Sequence, residues 1–363
     1  RLLGRLEPPI GVFHSSPLYV LVVALIGAVV DLEPTTIRAV QSVAGAVNVA
    51  LVAALGRLWL SPRAGWIAGL LALVHGPLVL FDLSLLPAAL LVTCTLVFLA
   101  GAERWASGGG RLPLLLTGVG CALCVIVRPS FWLLLGAAAA WVAAVRRPAL
   151  REAVARVALL AAGAAVVVAP VALYNLVAGG EAVAVTASGG WVLHCSNNPR
   201  AGGLFFTPPP GFRSLEIAEM RARGGAPPVY TEHLLAHELA EREAGRQLSA
   251  RETSRWYLRT ALAYVRDTPG HAAGLLARKL RYALNAHESI DVPQVISSWY
   301  ALERLPLSGM GLLLPLGLLG AAVARWDRFG WILRVHLVVV VAGLLLTYAA
   351  ARYRLPAVPT LAL

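Results

Sequence analysis

Hydrophobic and polar residues follow one another along this chain in long blocks. Apolar runs fall at about 17–30, 37–57, 65–81, 85–102, 112–127, 130–145, 153–176, 307–324 and 331–350. Most approach the roughly 20 residues that a helix needs to cross the hydrocarbon core of a bilayer. Inside lipid the backbone must satisfy its own polar groups, so runs of this length predict helices. The first run, Pro17 to Val30, is short for a crossing and is followed by Asp31 and Glu33. It predicts a helix lying in the outer interface, with the first complete span opening at Thr36-Ile37-Arg38.

One long hydrophilic stretch, from Ala178 to about Leu305, interrupts the apolar blocks. Its first part is rich in Gly and Pro (GGWVLHCSNNPRAGG, then TPPPGF), and helical, charged sequence follows over 231–246 and 249–267. Thr231 and Ser249 are candidate N-caps, and Glu252 three residues after Ser249 completes a capping-box pattern. The stretch His271 to Ala286 reads as a basic amphipathic helix suited to a membrane surface, with Arg278, Lys279 and Arg281. The fold class is therefore an all-α integral membrane protein, a multi-spanning helical bundle with an interfacial helix and one large extracytoplasmic loop domain. The expected division is 1–177 for the N-terminal bundle, 178–305 for the loop domain and 306–363 for the C-terminal membrane helices. The first residue is Arg1, and Pro356 to Leu363 resembles the start of a further apolar segment, so the chain reads as a fragment cut at both ends.

Composition agrees with this class. Hydrophobic residues make up 58% of the chain and charged residues 14%, with mean hydropathy +0.71. A soluble domain carries about 25% charged residues. The net charge is +12 and Lys279 is the single lysine. Many arginines sit in short loops between apolar runs: Arg57 and Arg63, Arg104 and Arg111, then Arg146, Arg147, Arg151 and Arg156. Positive charge in short loops marks the cytoplasmic side, so the basic balance reports orientation and does not call for nucleic acid. Cys121 and Cys124 form a CxxC inside an apolar run, where small packing residues are the better reading, and no disulfide framework is implied.

Alternation then gathers a polar set on the outer side: His14, Asp82, Arg128, the hydrophilic stretch, and Arg352 with Arg354. Charges at membrane depth are costly and tend to be functional. Arginines on the side that should lack them suit a phosphate, which a guanidinium binds in bidentate fashion. The blander reading is snorkelling to lipid phosphates, or pairing with Asp82 or Glu288. Asp82 suits either a helix-end cap or an acid/base or metal-ligand carboxylate. His233 and His237, with Glu238, read as a solvated helix face. The sequence demands no cofactor and leaves a divalent metal open.

These stretches, in order, resemble a known family. HSSPLY (His14–Tyr19), GRLWLSPRAG (Gly56–Gly65), FDLSLL (Phe81–Leu86), VRPS (Val127–Ser130), YN (Tyr174–Asn175), SGGWVLHCSNNPRAGG (Ser188–Gly203) and RYRLPAVP (Arg352–Pro359) resemble segments of the C-type membrane glycosyltransferase superfamily. The likeness is to its protein-mannosyltransferase and aminoarabinose-transferase-like branch, glycosyltransferase family 39, and covers nearly the whole chain. It implies transfer of a sugar from a polyprenyl-phosphate donor to a lipid, glycan or protein acceptor at the outer face of the membrane, with inversion at the anomeric carbon; the Arg- and Ala-rich composition points to a bacterial chain and so to the bacterial inner membrane. It implies Asp82 as a second outer carboxylate, and Arg128, Arg352, Arg354 and Lys279 as cations for the donor phosphate. His14, Ser15, Tyr19, His194, Asn197, Asn198, Glu288 and Tyr353 are expected around the donor or acceptor. The family's own catalytic acid lies early in the first outer loop, before the part present here; Glu7 is the only acid ahead of His14 and is not promoted to that role. Two other classes compete: a transporter or flippase for lipid-linked sugars, which predicts inverted repeats that the sequence does not display, and a non-catalytic membrane scaffold.

Overall fold

The computed structural model describes residues 11–145, 148–222, 232–324 and 326–363, and over these the chain is helical. The apolar blocks become α1 (Pro17–Val29), α2 (Pro34–Trp59), α3 (Pro62–Leu73), α4 (Gly76–Asp82), α5 (Ala88–Ala106), α6 (Arg111–Val127), α7 (Trp132–Ala144) and α8 (Leu150–Val177). Four helices among the described residues are long and apolar enough to cross a membrane: α2, α5, α8 and Arg328–Leu346. Proline at the first helical position starts α1, α2 and α3, where its missing N–H would have had no partner. Ser16 and Ser61 cap α1 and α3, each accepting from the amide three residues on.

The third apolar run, expected as one helix, is two. Pro77 cannot donate to a helical carbonyl, and the chain breaks at Val74 and His75. The freed groups are taken up by a distant residue: Ser308 N donates to Val74 O at 2.7 Å, and Gly76 N donates to Ser308 O at 2.8 Å. By contrast α6 and α8 cross at very close range. A Cβ on Gly118 would overlap the Leu160 carbonyl, and one on Gly163 would overlap the Leu115 carbonyl. Small residues that let backbones approach are the usual basis of helix association in lipid.

The hydrophilic stretch holds α9 (Gly189–Ser196), α10 (Phe212–Ala222), α11 (Glu232–Ala244), α12 (Ala250–Asp267) and α13 (Pro269–Ala283). Trp191, Cys195, Phe212, Leu235, Leu239 and Tyr257 form a core of their own there, apart from the core of the bundle. The Ser249–Glu252 capping box expected from the sequence is formed in both directions. Thr231, the other expected cap, lies outside the described residues, as do Glu7, Arg146 and Arg147. In α13 the residues Leu275, Lys279 and Ala283 are buried, so the single lysine lies on the inward stripe and not on a basic outer face.

The chain returns through α14 (Pro293–Leu302), α15 (Met310–Val323) and α16 (Arg328–Leu346), and closes with α17 (Ala351–Arg354) and α18 (Ala357–Ala362). Contacts between helix ends fall into two groups. At one end of the bundle Trp59 Nε1 donates to Asp327 at 3.0 Å, Arg328 donates to Ala106 O at 3.0 Å, and Arg156 donates to Val145 O at 2.7 Å. At the other end Phe13 N donates to Asn175 Oδ1 at 3.0 Å, and Asn197 donates to Leu346 O at 2.8 Å. All four cysteines are buried free thiols.

Candidate functional site

A cavity of about 800 Å³ lies where the loop helices meet this second end of the bundle. Its bundle wall is built by Asp291, Tyr348, Arg352 and Tyr353, and its loop wall by α9, α11 and α12 through Trp191, Glu232, Ala236 and Thr253. His14 and Ser15, just ahead of α1, close one side. Phe205, Phe206 and Phe212 add aromatic faces, and Arg213 and Glu216 add charge.

The bundle wall is charged. Arg352 donates through Nε (3.0 Å) and Nη2 (2.8 Å) to Asp291 Oδ2. Tyr348 and Tyr353 join their hydroxyls at 2.6 Å, and Arg352 Nη2 reaches the Tyr348 hydroxyl at 3.4 Å. The Arg128 guanidinium stacks on the face of Tyr353, 3.8 Å from the ring centre, while that of Arg352 lies 5.0 Å from the same ring. The Arg128 guanidinium has no hydrogen-bond or ion-pair partner among the described residues. Two guanidinium groups thus stand at a wall with one carboxylate, which is paired with Arg352, and this leaves an excess positive charge there.

The loop wall differs in character. Glu232 accepts from the Trp191 indole at 2.7 Å and forms no ion pair among the described residues. His14 and His233 stack, with ring centres 4.7 Å apart. His237, one turn further along α11, shares a hydrogen with the Thr253 hydroxyl at 2.8 Å. Burial, reinforced by His233 and His237, pushes the His14 pKa down to about 4. Burial also lowers that of His233. The face read from sequence as solvated is in part a cavity wall.

The site residues expected from sequence divide in two. His14, Ser15, Arg352 and Tyr353 line the cavity, and Arg128 backs it through Tyr353. The others lie outside the lining, each engaged elsewhere. Arg354 is enclosed, donating to Asn285 O, His287 O and the Glu288 carboxylate, so its guanidinium is committed within the protein. Glu288 also accepts from Met310 N. Lys279 donates to Asn197 Oδ1 at 2.8 Å and Leu345 O at 3.0 Å; burial brings its pKa down to about 7. Asn198 bridges the carbonyls of His194 and Thr207. The His194 ring packs on Tyr257, and burial lowers its pKa. Tyr19 bonds Gln41, which in turn holds the turn after α4 through Ser84 O. Asp82 ends α4 with its carboxylate against the Cα of Gly45 in α2.

Sequence reasoning passed over Trp191, Glu232, Asp291 and Tyr348. Tyr348 stands four residues before Arg352, a spacing that was available as a signal. Asp291 stands three residues after Glu288 in HESID, so two acids compete there for the same reading. Among the described residues no group of three or more His, Cys, Asp or Glu side chains is arranged to hold a metal ion. Comparison with family models, with curated proteins and with solved structures finds no match for this chain.

Proposed function

We propose that this chain is a membrane glycosyltransferase that moves a sugar from a polyprenyl-phosphate donor to an acceptor, with the cavity as its site. The observation that carries this reading is the gathering of Arg352 and Arg128 around the Tyr353 ring, with one carboxylate, Asp291, paired to Arg352, at one end of an apolar bundle. A phosphate attached to a long apolar tail suits that position: its charge meets Arg352, while Arg128 reinforces the field from behind the ring. Charge that builds on a leaving phosphate is stabilised best by donors already fixed in place. The aromatic wall of Phe205 and Phe206 offers apolar faces for a sugar.

In this reading the bundle lies in a bacterial inner membrane with the cavity facing outward. Arg57, Arg63, Arg104 and Arg111 then fall on the cytoplasmic side, in keeping with the positive-inside rule. The α1 helix lies in the outer interface, and Asp82 remains the second outer carboxylate. The acceptor is a lipid, a glycan or a protein.

The test is transfer of radiolabelled sugar by the protein in lipid nanodiscs, from a panel of polyprenyl-phosphate sugars, with Arg352→Ala alongside. Turnover by the parent with at least a tenfold loss in the variant supports the reading. Absence of both turnover and saturable donor binding in the parent would overturn it.

A further inference from the structure

Three carboxylates line the cavity: Glu216, Glu232 and Asp291. Two of them are neutralised by arginine. Glu216 takes Arg213 at 2.6 Å, and Asp291 takes two donors of Arg352. Glu232 differs from both. Its only hydrogen-bond partner among the described residues is the neutral indole of Trp191, on Oε1, so the second carboxylate oxygen has none. It opens α11 on the loop wall and shares the cavity with Arg352, the phosphate-side cation of the bundle wall.

From this arrangement we infer that Glu232 is the general base of the transfer, removing the proton from the acceptor hydroxyl on the side of the cavity away from the donor phosphate. This rests on the function proposed above. It also departs from the expectation that the base lies ahead of His14.

The step balances as follows. The acceptor O–H bond breaks, and its proton passes to the unpartnered oxygen of Glu232. The acceptor oxygen forms a bond to the anomeric carbon as the bond from that carbon to the phosphate oxygen breaks. The electron pair leaves with the phosphate, beside Arg352. Attack from the wall opposite the leaving group inverts the anomeric configuration.

The carboxylate is suited to the task. As a residue Glu232 is exposed, while its carboxylate is held against the Trp191 indole of the cavity wall. That burial is the largest influence on it and raises its pKa above the ordinary glutamate value; the Trp191 hydrogen bond and Arg352 pull it down, and Glu216 pushes it up. A base is most effective when its pKa lies near the working pH. Glu216 and Asp291 are each already engaged by a guanidinium.

Glu232→Gln keeps an oxygen for the Trp191 indole and so preserves the fold. In nanodiscs with a donor that the parent turns over, kcat is expected to fall by about 10²- to 10⁴-fold. Saturable binding of the polyprenyl-phosphate donor should stay within a few-fold of the parent, which establishes that the variant is folded. The acid limb of the parent's pH–rate profile should disappear in Glu232→Gln and persist in Asp291→Asn. Formate should restore part of the rate to Glu232→Ala. If the parent turns over and Glu232→Gln keeps its rate and acid limb, the assignment of Glu232 is overturned while the transferase reading stands. If the parent neither binds nor turns over any donor, both fall together.

Discussion

Arg354 and Glu288 form an enclosed ion pair, 2.6 Å apart, with side chains 3% and 6% exposed. Around it the Arg354 guanidinium also holds two carbonyls of the 285–287 segment, and Glu288 also holds the first amide of α15. The pair is a knot between three parts of the chain. Removing one member of a buried pair leaves the other charge uncompensated and costs about 3–5 kcal/mol. Arg354→Met and Glu288→Gln should each lower the thermal midpoint in nanodiscs by far more than Arg352→Ala does. The double variant Arg354→Met/Glu288→Met should recover a large part of the loss. Equal damage from the singles and the double would mean that the carbonyl bonds, and not the charge pair, hold the knot.

Much of this was legible in the sequence. Blocks of apolar residues long enough to cross a bilayer leave few alternatives to helices, and α2, α5, α6 and α8 fall close to the blocks that predicted them. The capping box at Ser249 needs only four residues, so it too could be read directly. What could not be read was the division of labour among charges. Arg352 and Arg354 stand two residues apart in RYRLP, and both fit a phosphate. Their roles separate only because Asn285, His287 and Glu288, more than 60 residues away, surround one of them. Lys279 is a milder case: its i, i+4 relation to Leu275 and Ala283 already placed it on the buried stripe of α13.

The stacked His14 and His233 rings set a direction for pH dependence. The folded His14 titrates near 4, against 6.5 for an ordinary histidine, because burial, then His233 and His237, disfavour its charge. The folded state therefore prefers the neutral ring. Its stability is whole above pH 6.5 and is lost as pH falls toward 4, at up to about 1.4 kcal/mol for each pH unit. His14→Gln has no such charge to disfavour. Thermal unfolding at pH 7.5 and pH 4.5 should show a smaller acid loss in the variant than in the parent. The same acid loss in both would mean that other groups carry it.

Gly190 in α9 and Ser254 in α12 fix how the loop helices pack beneath the cavity. Gly190 N donates to the Ser254 hydroxyl at 3.0 Å, and a Cβ at Gly190 would overlap the Ser254 carbonyl. Backbone cannot yield there as a side-chain tip can, so Gly190→Ala should cost about 1–3 kcal/mol. Gly189, its neighbour, faces open space, and Gly189→Ala should be close to neutral. Hydrogen exchange over α9 and α12 separates the two: faster exchange confined to Gly190→Ala is the expected result, and equal protection in both variants would mean that the α9–α12 contact tolerates a methyl group.

The strongest test of the charged wall compares the two arginines through their different partners. Arg352 is paired with Asp291, and among the described residues the Arg128 guanidinium has only the face of Tyr353. Arg128→Ala removes one cation and leaves the other pair whole. A lost interaction with a charged group is worth about 1.5–3 kcal/mol, so donor affinity should weaken by roughly 10- to 100-fold. Arg352→Ala does more, because it uncovers Asp291 and turns a neutral pair into a negative charge facing the incoming phosphate. Its loss should exceed that of Arg128→Ala, and Arg352→Ala/Asp291→Asn should bind better than Arg352→Ala alone. Binding of a polyprenyl phosphate without sugar, measured in nanodiscs at low and high salt, gives all three comparisons. If the Asp291→Asn change does not restore affinity, the phosphate does not approach that carboxylate, and the donor lies elsewhere in the cavity.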